Sequence, residues 1–141
     1  MVGRRRSARE APQAPPEVGS EWPAEWMRGV LEVCVLAVLD GGPTYGYAIS
    51  ASLEEAGLGA IKGGTLYPLL GRLEAAELVQ VQWRAGESGP GRKYYELNEA
   101  GRAALAEKSQ AWLRFTDRTR ALVAPADAAN RKQRGQTGES A

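Results

Sequence analysis

Eleven consecutive residues, Lys62 to Arg72, hold an ammonium, a hydroxyl, a phenol and a guanidinium but no carboxylate. Within KGGTLYPLLGR the leucines Leu66, Leu69, Leu70 and Leu73 recur at helical spacing, with Ala76 one turn on. Thr65, Tyr67, Pro68, Gly71 and Arg72 therefore share the opposite, outward face. Tyr and Thr hydroxyls and backbone N–H groups bond phosphate oxygens, and Arg reaches a phosphate or the acceptor edge of guanine. A second basic pair, Arg92 and Lys93, follows the turn-rich stretch AGESGPG, with Arg84 just before it. The chemistry on offer is recognition of a polyanion.

Other chemistries are poorly served. The chain of 141 residues has no histidine, which removes Ser-His-Asp, Cys-His and His-ligated metal arrangements together. Its single cysteine forms no internal disulfide, and Cys34, set among Val33 to Leu39, reads as a buried apolar residue with a raised pKa. Glu54 and Glu55 are adjacent and point about 100 degrees apart on a helix, so they do not converge as a catalytic pair. No enzyme and no metal or organic cofactor is expected. The longest apolar run is too short to span a membrane, and no secretion signal follows the Arg-rich start, so a cytoplasmic location is expected. A formal charge of +1 requires any cationic surface to be local, with acids such as Glu107 placed elsewhere.

The elements that must carry these groups are legible from periodicity. Residues 1–21 and 124–141 are poor in large apolar side chains and are expected to be disordered, with the folded part between. EWMRGVLEVCVLAVLD, closed by Gly41, Gly42 and Pro43, predicts a buried first helix. Thr44 is expected to cap a second helix that ends at Gly57. In the third helix, Thr65 as N-cap would place Pro68 in the first turn, where a missing N–H costs little, with Tyr67 biased from helical angles. VQVQWR alternates strictly and pairs with RKYYEL as a hairpin. Asn98 caps a last helix to about Val123, in which Leu105, Lys108, Trp112, Phe115, Thr119 and Leu122 keep 3-4 spacing. The fold class is mainly α with a small β-hairpin. Residues 22–97 form a winged helix-turn-helix, and 98–123 a long C-terminal dimerisation helix.

In that architecture the helix before the hairpin enters the DNA major groove and the hairpin lies along the backbone. LEVCVLAVLDGGPTYGYAI, GTLYPLLGRLEAAELV and GRKYYELNEAGRAAL, in that order, resemble the PadR family of transcriptional regulators. The matching motifs are Gly42, Pro43, Gly46 and Tyr47; Thr65 to Pro68; and Arg92, Lys93 and Tyr95. The resemblance implies a homodimeric DNA-binding repressor of the shorter C-terminal subgroup, released from double-stranded DNA by a small molecule. It does not extend to the Arg-rich start of the chain. The DNA-binding set is Tyr45, Lys62, Thr65, Tyr67, Pro68, Arg72, Arg92 and Lys93.

Trp112 and Phe115 suit a packed dimer interface. With Trp22 or Trp26 they could instead line an intersubunit pocket for a planar aromatic effector. Arg4 to Arg6 would favour an anionic, nucleotide-like ligand or extra DNA contact. The rival class is a winged-helix protein-interaction module that binds no DNA, and the hairpin arginines could equally be charges that protect an edge strand.

Overall fold

The structure, a computed structural model, describes residues 22–86 and 89–140, so the expectations for residues 1–21, including Arg4 to Arg6, lie outside the described residues. Helix α1 spans Ala24–Leu39, strand β1 Thr44–Tyr45, α2 Gly46–Glu55, α3 Gly63–Ala75, β2 Val79–Arg84, β3 Arg92–Leu97 and α4 Glu99–Ser140. The three strands form one antiparallel sheet in the order β1-β3-β2. The hairpin strands have the expected bounds, β2 those of the alternating VQVQWR and β3 those of RKYYEL.

One core unites the helices with the base of the hairpin. Leu31, Val35, Leu36 and Leu39 of α1 meet Ile49 and Leu53 of α2, and Leu66, Leu69, Leu70 and Leu73 of α3. Val79, Tyr95 and Leu97 close it from the sheet. Tyr95 thus belongs to the core and not to the outward surface of the hairpin. Apolar α1 is buried on one face only: Val30, Val33 and Cys34 are half-buried, Ala37 is exposed, and burial pushes the Cys34 thiol up from its ordinary pKa.

Two expected caps are not where local sequence put them. Thr44 does not cap α2, because Thr44 and Tyr45 pair with Tyr95 and Tyr94 of β3 as a third strand. Thr65 does not cap α3. The helix starts at Gly63, three residues before the start that a Thr65 cap implies, and the Lys62 carbonyl accepts from the Thr65 and Leu66 N–H groups at 2.9 Å each. Pro68 is accordingly the sixth helical residue, a full turn deeper than expected, and Tyr67 is helical. The proline cannot donate to the Gly64 carbonyl, which is left without its helical partner.

Asn98 does cap α4. Its Oδ1 accepts from the Gly101 N–H at 2.8 Å, its Nδ2 donates to the Glu77 carbonyl at 2.8 Å, and its own N–H donates to the Leu78 carbonyl at 3.1 Å. One side chain thereby ties the start of α4 to the start of β2. Asn98→Ala is expected to cost about 1–2 kcal/mol of stability, the upper end of the cap range because two bonds are lost. Chemical denaturation monitored by circular dichroism measures it.

The last helix does not stop near Val123. It runs to Ser140, so the stretch from 124 onward, expected to be disordered, is helical that far. Residues 117–135 are all exposed, so no burial maintains this extension. Its Ala, Arg, Lys and Gln content supplies intrinsic helix propensity, and Asp127 and Arg131 pair at 3.1 Å one turn apart. Low apolar content excludes a core contribution; it does not exclude a helix.

Candidate nucleic-acid interface

Helix α3 turns its leucines inward and leaves Gly64, Thr65, Tyr67, Pro68, Gly71 and Arg72 exposed. A cleft runs along each side of its N-terminal half. Together the two clefts gather all eight residues of the expected DNA-binding set, four in each.

The cleft on the hairpin side, about 450 Å³, is lined by Tyr45, Gly46, Tyr47, Tyr67, Arg92 and Lys93. The Tyr67 ring lies against the first residue of α2: a Cβ on Gly46 would stand 2.6 and 2.7 Å from its Cζ and Cε1 atoms. On its other side a Cβ at Gly63 would meet the ring at 3.3 Å. Two glycines therefore hold this phenol in a slot between α2 and α3.

Behind it the sheet builds a ladder of rings and guanidiniums. Arg92 lies over the Tyr45 ring at 4.5 Å, Tyr45 and Tyr94 sit 5.2 Å apart at 56°, and Arg84 lies over Tyr94 at 4.1 Å. A guanidinium stacked this way keeps its in-plane N–H groups available, the geometry that suits bidentate contact with a phosphate. Sequence reading did not place Tyr94 and Arg84 in this cluster. The available signal was register: Arg84 and Arg92 are direct cross-strand partners, and Tyr94 is two residues along the same face.

Lys93 is engaged within the chain. Its Nζ donates to Glu74 Oε1 of α3 at 2.9 Å, and that bond raises its pKa above the ordinary lysine value. Its charge is largely answered within the chain, so it positions the hairpin against α3 more than it contributes cationic surface. A raised folded-state pKa adds stability below the ordinary lysine range that fades only above it, so the tie is complete at neutral pH.

The second cleft, about 560 Å³, lies between the start of α1, the linker after α2, and α3. Lys62, Thr65, Pro68 and Arg72 border it together with Trp22, Met27, Arg28, Leu58 and Ile61. Neither cleft has an Asp or Glu in its lining. Arg28 was not singled out by the sequence, because it lies far from the helix-turn-helix in order and only the packing of α1 brings it here.

Of the aromatic residues read as an effector or dimer surface, Trp22 lines the second cleft, its Nε1 donating to the Gly57 carbonyl at 2.8 Å, and Trp26, Trp112 and Phe115 do not border it. Trp26 and Phe115 are 61% and 67% exposed, and Trp112 36%. Leu113, Leu122 and Val123 are exposed beside them on α4. A Lys108–Glu32 ion pair of 3.1 Å joins α4 to α1 just before this apolar stretch begins.

Among the described residues no group of three or more His, Cys, Asp or Glu could hold a metal ion, and no helix is long and apolar enough to cross a membrane.

The model of the transcriptional regulator PadR-like family matches residues 35–107, from the middle of α1 to the first turns of α4. The chain is similar to a PadR family transcriptional regulator from Eggerthella lenta, at 38% identity and TM-score 0.64 over 71% of this chain and 87% of that one. It is similar to a PadR-like transcriptional regulator from Bacillus cereus, at 32% identity and TM-score 0.63 over 70% of this chain and 96% of that one. It also matches an uncharacterized 37.1 kDa protein of transposon TN4556 from Streptomyces fradiae, 34% identical over 62% of this chain. The match spans 24% of that relative's length.

Proposed function

The chain belongs to the PadR-like family of transcriptional regulators, which are not enzymes, and from that premise we propose that it binds an operator as a homodimer and represses transcription there. The observation that carries this reading is the pair of acid-free cationic clefts on either side of an outward helix face that itself has no carboxylate from Lys62 to Arg72. In this reading α3 enters the major groove, Tyr67 and Arg72 meet phosphates or base edges, and the Arg84–Tyr94–Tyr45–Arg92 ladder holds the neighbouring backbone. A cytoplasmic location is proposed with that role.

Dimerisation is proposed through α4. Trp112, Phe115 and Leu122 are large apolar side chains at helical spacing, left in water by a single chain, which is the pattern of an interface core. A planar aromatic effector is proposed where Trp112 meets Trp26 of the second subunit, with an anionic one at Arg4 to Arg6 as the alternative; Trp22, held to Gly57, stays with the DNA-side cleft. A two-fold dimer reads a pseudo-palindrome with half-sites about 34–36 Å apart. Selection from a pool of random duplexes tests the reading. Enrichment of such inverted repeats supports it, and recovery of unenriched sequence contradicts it.

The slot around Tyr67 gives a sharper expectation. In Gly46→Ala the added methyl and the ring cannot share the same space, so Tyr67 must leave its place. The variant is expected to fold yet bind operator at least about tenfold more weakly, since one hydrogen bond to a charged group is worth about 1.5–3 kcal/mol. Anisotropy with a labelled operator measures it. Unchanged affinity would mean that the orientation of Tyr67 is irrelevant to binding.

A further inference from the structure

Helix α3 has two flanks, and the ladder of stacked rings and guanidiniums lines only one of them. A B-form major groove is about 12 Å wide, and an α-helix with its side chains about 10–12 Å, so a helix that enters it has a sugar–phosphate backbone on both sides. On the hairpin side the tyrosine and arginine ladder answers one strand. On the other side is the cleft of about 560 Å³ under the start of α1.

We infer that this α1-side cleft seats the backbone of the second DNA strand, with Arg28 of α1 supplying its phosphate contact. The inference rests on the proposed operator binding and extends it to an element outside the helix-turn-helix and the hairpin. Three cations, Arg28, Lys62 and Arg72, border the cleft with no carboxylate among the lining residues. Arg28 and Arg72 are exposed and make no ion pair with any described residue. Arginines with an available charge are what a phosphate ridge selects.

The walls are fixed before DNA arrives. The Trp22 indole is held to the Gly57 carbonyl, and the Ser50 hydroxyl donates to the Ile61 carbonyl at 2.9 Å, tying the linker after α2 to the body of α2. The ridge of α3 between the clefts is low. Gly64 and Gly71 are exposed, and a Cβ at either would meet nothing within 4 Å, so packing inside this chain does not demand glycine there. Each nevertheless forgoes the helix propensity of alanine. A helix that must sink between two phosphate ridges gains from glycines at two points of its crest.

The test is Arg28→Gln in the full chain, beside Arg28→Lys, in salt titrations on the operator and on a scrambled duplex. One phosphate contact per subunit, two per dimer, makes the log–log salt dependence of Arg28→Gln shallower by about 1.8. Affinity falls by the same factor on both duplexes, leaving their ratio unchanged, and Arg28→Lys restores the slope. An unchanged slope and affinity for Arg28→Gln would overturn the inference while wild-type binding keeps the operator reading intact. Loss confined to the operator would also overturn it, because it assigns Arg28 to a base. Wild-type protein that binds neither duplex removes both readings together.

Discussion

Replacing Tyr67 and Arg92 together by alanine is expected to lower operator affinity by at least about 1,000-fold while leaving the fold and the dimer in place. Each side chain offers one hydrogen bond to a phosphate, worth about 1.5–3 kcal/mol, and a dimer presents each twice. Even at the low end the four contacts sum to about 6 kcal/mol, beyond a thousandfold. The fold has little at stake. Both residues are exposed, Arg92 resting on Tyr45 and Tyr67 on Gly46, and exposed substitutions usually change stability by about 0.5 kcal/mol or less. Anisotropy gives the affinity, and a thermal melt with light scattering gives the fold and the dimer. A double variant that is folded and still binds as wild type would place the reading surface elsewhere.

The largest effect on stability is expected from Gly101→Ala. Gly101 is buried in the first turn of α4, and a Cβ there would run into the Leu78 carbonyl oxygen and stand 2.9 Å from Leu97 Cδ2. A side chain can rotate away from a clash; a carbonyl already bonded to the Asn98 N–H cannot. Overpacking of this kind costs about 1–3 kcal/mol and more against backbone, which outweighs the gain of about 1 kcal/mol in helix propensity. A net loss of about 2 kcal/mol would lower the melting temperature by roughly 8–16 °C in a domain of this size. Because α4 carries the proposed dimer surface, the same variant should dimerise more weakly. A melting temperature equal to or above wild type would show that the joint between β2 and α4 has slack.

Where local chemistry decides, the sequence was readable. The four leucines of α3 are buried as their spacing implies, both hairpin strands have the expected bounds, and Asn98 caps α4. Where a distant partner decides, it was not. Thr44 had the right chemistry for a cap but was taken by the ladder to Tyr95, a residue about fifty positions away that no local window contains. Thr65 lost its cap role to the Lys62 carbonyl because two glycines, poor helix formers, are tolerated in a first turn whose N–H groups are in any case unpaired. Lys93 was read as a cation for DNA, and Glu74 on another element claims it. Trp22 was grouped with Trp112 as an aromatic, and its indole bonds the Gly57 carbonyl beside the second cleft. The candidate surface was named residue by residue, but its division into two clefts and the entry of Arg28 depend on packing between elements, while Tyr94 joins it through the hairpin register.

The central claim is that α3 and its two cationic clefts read a specific duplex. Fluorescence anisotropy of a labelled duplex from upstream of the protein's own gene, titrated at several salt concentrations beside a scrambled duplex, tests it most directly. The account predicts tight, salt-sensitive binding that favours the native duplex. Folded, dimeric protein that binds neither duplex at moderate salt would contradict it and point to a winged-helix module that recognises protein.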